Sequence, residues 1–342
     1  MKKIPILLLY ICFVIYKANA QEVRASDYQS MPLLMNPALT GYFEGGARLS
    51  AYHAMIRSDS GNNNYTNVSA DFRIGKKRKW GLGISYFHSG DKNFQVTSNY
   101  IGGSVAKEWI LDDKGFSLLR LGFQVSYNEG NLNEAQGRYY RYADVNIIKV
   151  FPPSTRPVGY PLVDVSMGYI NYSTGIFYRY ENCDIRFETG VGIYNLFCPE
   201  FSPSPWHTDF RKRHRVAIQN SFSYAINDNN TIHFNYLLWK EGMYLRDYDP
   251  YRVGDTEPIQ EEVFGVAWQK YFSKNSMTFQ FAERSLKTVI GILGFDVNQK
   301  FKINLSYEHP LYRPYYDVTH YEASLCMLLG KQKPRDPNQF KN

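Results

Sequence analysis

The run Leu119-Arg120-Leu121-Gly122-Phe123-Gln124-Val125-Ser126-Tyr127 alternates strictly between an apolar side chain and a polar or small one. Successive side chains of a β-strand point to opposite faces, so this run predicts a strand with one apolar and one polar face. The same period of two occurs in Trp80–Phe87 and in Phe301–Glu308. Many such segments, separated by turn residues, are typical of a transmembrane β-barrel.

The alternation predicts fourteen strands along the chain. Their predicted bounds are 46–58, 63–74, 79–88, 93–109, 115–129, 162–180, 184–197, 211–226, 229–242, 258–271, 276–284, 287–297, 301–310 and 318–329. Residues that tolerate tight turns mark several joints, namely Gly61-Asn62-Asn63, Ser89-Gly90-Asp91, 181–184 and Asn227-Asp228-Asn229. An antiparallel barrel pairs every backbone group in hydrocarbon only if it closes, so we expect a closed sheet.

The predicted connections alternate in length. Those after even-numbered strands are short, whereas the three long ones, 130–161, 198–210 and 243–257, all follow odd-numbered strands. Outer-membrane barrels have short periplasmic turns and longer external loops. We therefore expect an outer-membrane protein with periplasmic termini and with its long loops on the cell surface.

The two ends of the chain differ from the barrel. Lys2 and Lys3 precede the apolar run 4–15, and Ala18-Asn19-Ala20 supplies the small residues of a cleavage site, so residues 1–20 are predicted to be a secretory signal peptide. An uncleaved anchor helix is the alternative, but the run is shorter than the roughly 20 residues that span a bilayer. The remaining predicted organisation is an N-terminal segment 21–45, which is either periplasmic or a plug, a barrel 46–330 and a C-terminal tail 331–342.

Composition agrees with a barrel. Aromatic residues make up 16% of the chain, with 29 Tyr and 22 Phe, and the mean hydropathy is −0.42. Tyr at a membrane interface places its ring in lipid and its hydroxyl at the headgroups, although a secreted β-sandwich or propeller is the alternative explanation. The formal net charge of +7 is not focused in a basic patch, so no nucleic-acid partner is expected.

No enzyme motif occurs in the sequence. There is no G-x-S-x-G, H-E-x-x-H or P-loop. Four charged residues, Asp71, Arg73, Arg120 and Glu308, are predicted to face the lumen, where a structural network is more common than an active site. The pairs His207 with His214 and His309 with His320 lack metal-ligand spacing. We therefore predict no catalytic, cofactor or metal site.

The alternation also predicts the cost of substitutions. Arginine at Leu305 or Phe234, which face lipid, is expected to cost about 2–4 kcal/mol near the bilayer midplane. Arginine at Asn304 or Asn235 is expected to be much milder, because these side chains are predicted to face water.

Three elements of the sequence resemble one known family. Residues 28–41 carry a tyrosine, Tyr28, followed by Asn36-Pro37-Ala38-Leu39-Thr40-Gly41. Asp164-Val165-Ser166-Met167-Gly168-Tyr169 lies in mid-chain, and His320-Tyr321-Glu322, after Thr319, opens the last strand. In this order and spacing they resemble the PorP/SprF family of outer-membrane proteins of the type IX secretion system.

The resemblance implies a non-enzymatic component of type IX secretion. It implies export or surface anchoring of a partner protein, such as an adhesin used in gliding motility, with periplasmic secretion components and outer-membrane lipid as further partners. A porin or transporter for small solutes is the alternative. The family motif residues are Tyr28, Asn36, Pro37, Ala38 and Gly41. The loop aromatics Tyr139, Tyr140, Tyr142 and Trp206 either contact a partner or pack the loops together.

Overall fold

The computed structural model describes residues 25–58, 61–75, 79–91, 96–132, 165–199, 214–243, 259–311 and 318–330. They form a closed barrel of fourteen antiparallel strands in chain order, in which the first strand pairs with the last. The strands are β1 Ala47–Ser58, β2 Gly61–Ile74, β3 Trp80–Asp91, β4 Val96–Ile110, β5 Ser117–Leu132, β6 Val165–Glu181, β7 Ile185–Tyr194, β8 His214–Asn227, β9 Asn230–Met243, β10 Ile259–Phe272, β11 Asn275–Arg284, β12 Thr288–Val297, β13 Phe301–Pro310 and β14 Val318–Leu329. The predicted fold class is confirmed, and each strand bound differs from its predicted position by at most three residues.

Three details of the prediction are wrong. Strand β7 ends at Tyr194 rather than at residue 197, because Asn195 has φ 58° and its carbonyl accepts the N–H of Cys198 at 2.9 Å, which turns the chain. Gly61–Asn63 and Ser89–Asp91 were predicted as turns but belong to β2 and β3, where they pair with neighbouring strands. These turn-forming residues therefore extend the hydrogen-bonded pairing of β1 with β2 and of β2 with β3.

The two ends of the barrel carry different connections. At one end the strands are joined by the short connections 75–79, 111–116, 182–184, 228–229, 273–274 and 298–300. We call it the short-turn end and the opposite one the long-loop end, since the long connections between β5 and β6, β7 and β8, and β9 and β10 all leave there. The loop aromatics Tyr139, Tyr140, Tyr142 and Trp206, residues 1–24 and residues 331–342 lie outside the described part of the chain.

The outside of the barrel is apolar and exposed, as a lipid-facing surface must be. In β5 the outward residues are Leu121, Phe123, Val125 and Tyr127, while Arg120, Gln124 and Ser126 between them are buried inside. The last strand follows the predicted register, with Tyr321 and Leu325 outside and His320 and Glu322 inside. Within the described residues, no helix has the length and apolar character needed to cross a membrane.

Residues 25–46, which we call the inner segment, lie inside the barrel. They form a 3-10 turn Tyr28–Ser30, a short helix α1 Pro32–Met35 and a second 3-10 turn Pro37–Leu39 before the chain enters β1. Met31, Leu33, Met35 and Ala38 are fully buried or nearly so. The apolar core is therefore the contact between this segment and the inner wall, where Tyr28 and Met31 pack with the wall residues Tyr52, Ala54, Leu237, Val263, Ala282, Ile290 and Ile292.

Candidate functional site

A row of small residues crosses the inner wall where the inner segment lies against it. Six successive strands, β3 to β8, place glycine or alanine at directly paired positions, which are Gly81, Ala106, Gly122, Gly175, Gly192 and Ala217. We call this the small-residue row. Because it has almost no side chains, the row leaves space for main chain to lie directly on the wall.

The inner segment fills that space. A Cβ atom at Gly81 would meet the Thr40 carbonyl, and one at Gly122 would overlap the backbone of Pro37 and Ala38. At Gly192 it would lie 2.9 Å from the carbonyl oxygen of Met35. Any side chain at these positions would push the inner segment off the wall, so the row and the segment are shaped for each other.

Gly41 is the position with the strongest requirement for glycine. Its φ of +73° is a left-handed conformation, and a Cβ there would lie 2.7 Å from the Cα of Gly81. Its backbone N–H also donates to the carboxylate of Asp71 at 2.7 Å. Both the backbone conformation and the close approach exclude a larger residue.

Asn36 organises the turn that follows it. Its side-chain oxygen accepts the N–H of Ala38 at 2.9 Å, which caps the 3-10 turn begun by Pro37. Its side-chain nitrogen donates to the carbonyl of Ile176 in β6 at 3.0 Å. Ala38 is completely buried beside Leu118 and Phe177. The Asn-Pro-Ala sequence therefore combines a cap, a helical turn and a residue small enough for the wall.

Three arginines of the wall donate hydrogen bonds to backbone carbonyl groups of the inner segment. We call Arg48, Arg73 and Arg120 the arginine cluster. Arg120 donates from Nε to Ala38 O at 2.9 Å and from Nη2 to Thr40 O at 2.5 Å. Arg48 donates to the carbonyls of Leu39 and Tyr42, each at 3.3 Å, and Arg73 donates to that of Phe43 at 3.1 Å. Main-chain oxygens of the inner segment that face the wall therefore receive hydrogen bonds from it.

Two carboxylates, Asp71 and Glu108, form ion pairs with the arginine cluster. Asp71 accepts two hydrogen bonds from Arg48, at 2.9 Å from Nε and 2.7 Å from Nη2. Glu108 pairs with Arg120 and lies 3.6 Å from Arg73. Because the charges are paired and hydrogen-bonded, they can be buried without the full cost of an isolated ion.

The beginning of the inner segment is held by a second set of groups on β13 and β14. The carboxylate of Glu322 accepts the backbone N–H of Ser26 at 2.6 Å and that of Asp27 at 2.8 Å. The hydroxyl of Ser26 donates to Glu308 at 2.6 Å. Charged acceptors on backbone N–H groups give hydrogen bonds stronger than neutral ones.

His320 and Arg284 hold these two carboxylates in place. The two ring nitrogens of His320 lie 3.3 Å from Glu308 and 3.0 Å from Glu322, and Arg284 Nη2 donates to Glu308 at 3.0 Å. His320 and Glu322 are the two inward residues of the His320-Tyr321-Glu322 element. That element therefore contacts the segment that carries the N-terminal motif.

Burial raises the pKa of two tyrosines of the inner segment, Tyr28 and Tyr42. Burial raises the pKa of Tyr28 above its usual value. Burial, and then the neighbouring carboxylate of Glu188, raise the pKa of Tyr42. The protonated hydroxyl of Tyr42 donates to Glu188 of β7 at 2.5 Å. This bond fixes the inner segment at the short-turn end.

The expectation that Asn304 and Asn235 face water is wrong. Both side chains are buried inside the barrel. Asn304 donates to the Asp27 carboxylate at 2.6 Å, and Asn235 accepts a bond from Ser221 at 3.0 Å. A polar inward residue therefore indicates the inner face of the barrel, but here that face holds protein rather than solvent.

The structure places the predicted residues as follows. The five motif residues, Tyr28, Asn36, Pro37, Ala38 and Gly41, are all buried in the inner segment. The predicted lumen charges, Asp71, Arg73, Arg120 and Glu308, face inward and each contacts the inner segment. Sequence reasoning missed Arg48, Glu108 and the small-residue row. No cluster of three metal-ligating side chains occurs in the described ranges.

Comparisons with known proteins agree with this architecture. A family model described as type IX secretion system membrane protein PorP/SprF matches residues 17–320. Among solved structures, the Ralstonia pickettii toluene transporter TbuX is 12% identical, with a TM-score of 0.53 over 87% of this chain and 92% of that one. A Pseudomonas aeruginosa FadL homologue is 10% identical, with a TM-score of 0.48 over 85% and 91% of the two chains. The likeness to the toluene transporter concerns the barrel fold alone. No curated protein sequence matches.

Proposed function

The chain belongs to the PorP/SprF family of type IX secretion system membrane proteins, and from that premise we propose that it supports export or surface anchoring of a partner protein, such as an adhesin, by binding it. Outer-membrane localisation follows from the family and from the closed barrel. Family membership gives the secretion system and the membrane location. The kind of partner and the binding role are our proposal.

One observation supports binding over conduction, which is that the inner segment lies across the lumen. It contacts β1–β8 through the arginine cluster and the small-residue row, and β13–β14 through Glu308 and Glu322. We propose that it is a plug, following a leader at residues 1–20. A plugged barrel suits a role as a docking platform in the membrane.

The two ends of the barrel are proposed to serve different partners. The short-turn end would face the periplasm, where the secretion components are. The long-loop end would face the cell exterior and the partner protein, with the aromatic residues Tyr139, Tyr140, Tyr142 and Trp206 available for contact. Large aromatic residues tend to dominate the energy of protein interfaces.

A transporter for small solutes is the second candidate. It is favoured by the side-chain oxygen of Asn171, a buried polar atom of the inner wall that accepts no hydrogen bond from the described residues. Such a group is the kind that orients a bound solute. The inner segment would then have to leave a path beside it.

Deletion of the gene separates the two candidates. We expect general secretion to continue while one surface protein, or a small set, disappears from the cell exterior, as measured by proteomics of the surface of intact cells. Complementation with the wild-type gene should restore it. If the surface proteins are unchanged and uptake of a small solute falls instead, the transporter function is correct.

A further inference from the structure

A lysine on the outside of the barrel lies between two tryptophans at the short-turn end. Lys107 of β4 pairs directly with Trp80, the first residue of β3, and Trp109 follows two residues later on the same outward face. The Nζ atom of Lys107 is 5.1 Å from the ring centroid of Trp80 and 5.0 Å from that of Trp109. Both distances are within the range of cation–π interactions, so the two rings hold the ammonium group in place.

The ammonium group is not part of an ion pair within the described residues. No carboxylate lies within ion-pair distance of Lys107 in the part of the chain that the structure describes. The nearby Glu108 points inward to the arginine cluster, and Asp112 of the adjoining turn accepts the N–H of Phe116 at 2.9 Å. The outward neighbours Leu82 and Leu121 are apolar and exposed. A positive charge therefore stands on a lipid-facing surface without an ion-pair partner among the described residues.

The position along the barrel matches the headgroup level of a membrane. Trp80 and Trp109 lie beside the short turns 75–79 and 111–116. Tryptophan is enriched where the hydrocarbon core meets the headgroups, and long basic side chains reach toward phosphates at that level.

We infer that Lys107, held between Trp80 and Trp109, is a binding site for the phosphate of an anionic glycerophospholipid in the leaflet at the short-turn end. The lipid phosphate supplies the missing counter-ion, and its acyl chains lie along the exposed leucines. The site rests on the proposed orientation, in which this end faces the periplasm. It does not depend on which protein is exported.

The barrel also contains a matched control. Lys270 of β10 points outward at the same end, but it lies over a single ring, that of Phe272, at 5.3 Å. It carries the same charge without the pair of indoles. A site built from two rings should distinguish the lysines, whereas general attraction to the membrane should not.

The test is native mass spectrometry of the full-length protein in detergent, titrated with phosphatidylglycerol. Lys107→Gln should lower the retained lipid about fivefold at equal lipid concentration, while Lys270→Gln should change it much less. Lys107→Arg should retain the lipid, and the double variant Trp80→Ala with Trp109→Ala should lose it although the lysine remains. Heat-dependent electrophoretic mobility verifies that each variant is a folded barrel.

Three results would overturn the inference. They are an unchanged phosphatidylglycerol signal in Lys107→Gln, an equal fall in both lysine variants, and tighter retention of lipid A than of phosphatidylglycerol. The last result would place the site in the outer leaflet and so invert the orientation. Since the measurement uses isolated protein, its outcome is separate from the effect of gene deletion on surface proteins.

Discussion

The carboxylate of Glu322, in the last strand, accepts the backbone N–H of Ser26, the second described residue, at 2.6 Å. The two ends of the described chain therefore meet inside the barrel, where Glu322 also accepts the N–H of Asp27. The barrel itself closes through the pairing of β1 with β14, which does not involve the inner segment. We therefore expect that the attachment of the segment can be weakened without opening the sheet.

Removing the charge of Glu322 should loosen the beginning of the inner segment. Glu322→Gln keeps the shape but replaces a charged acceptor by a neutral one, which should cost about 1 kcal/mol for these bonds. The reporter is the substitution Ser30→Cys in a protein whose native Cys183, Cys198 and Cys326 are serine. This cysteine should react with maleimide several times faster when Glu322 is replaced by Gln than when Glu322 is present.

The matched control for that experiment is Glu283→Gln. Glu283 lies on the neighbouring part of the long-loop end and accepts the N–H of Leu286 rather than any group of the inner segment. Its substitution should leave the labelling rate of the cysteine at position 30 unchanged. Equal acceleration by both substitutions would mean that Glu322 does not hold the segment.

The small-residue row predicts a different result for two glycines on neighbouring strands. A methyl group at Gly122 would overlap the backbone of Pro37 and Ala38, whereas one at Gly103 would meet nothing within 4 Å. Gly122→Ala should therefore destabilise the protein by about 1–3 kcal/mol, or displace the inner segment. Gly103→Ala should stay within about 0.5 kcal/mol of wild type. Urea titration in lipid vesicles, followed by tryptophan fluorescence, measures both, and similar values would contradict the role of the row.

Sequence patterns predicted the barrel well because alternation is a local property. Each strand carries its own period of two, and in β13 and β14 both bounds were predicted without error. Lipid imposes that pattern on the outward face of every strand regardless of the others. The fold class could therefore be obtained by examining each strand independently.

The interior could not be predicted in the same way. Inward residues such as Asn304 are polar whether they face water or a buried segment, so the pattern is identical in the two cases. Gly122 pairs with Gly175, and Gly175 pairs with Gly192, so their alignment depends on the register of three strands, which no single strand encodes. The sequence around an inward-facing glycine does not indicate whether main chain will pack against that glycine.

Lipid exposure predicts a cost that depends on depth. Leu305→Arg, in the middle of β13 on the outward face, should destabilise the barrel by about 2–4 kcal/mol. Phe301→Arg, at the start of the same strand beside the short turn 298–300, should cost about 0–1 kcal/mol, because arginine there reaches the headgroups. Equilibrium refolding in vesicles measures the difference. Equal costs at the two positions would place the membrane differently along the barrel.

The orientation of the barrel is the prediction with the largest consequence for function. Leu286, at the long-loop end between β11 and β12, and Lys274, at the short-turn end between β10 and β11, are both exposed. In the protein whose Cys183, Cys198 and Cys326 are serine, Leu286→Cys should react with a membrane-impermeant maleimide in intact cells. Lys274→Cys should react only after the outer membrane is opened. Both should react equally in purified protein, which shows that each thiol is accessible. If Lys274→Cys were the one labelled in intact cells, the long loops would face the periplasm, and the partner protein would have to bind the short-turn end instead.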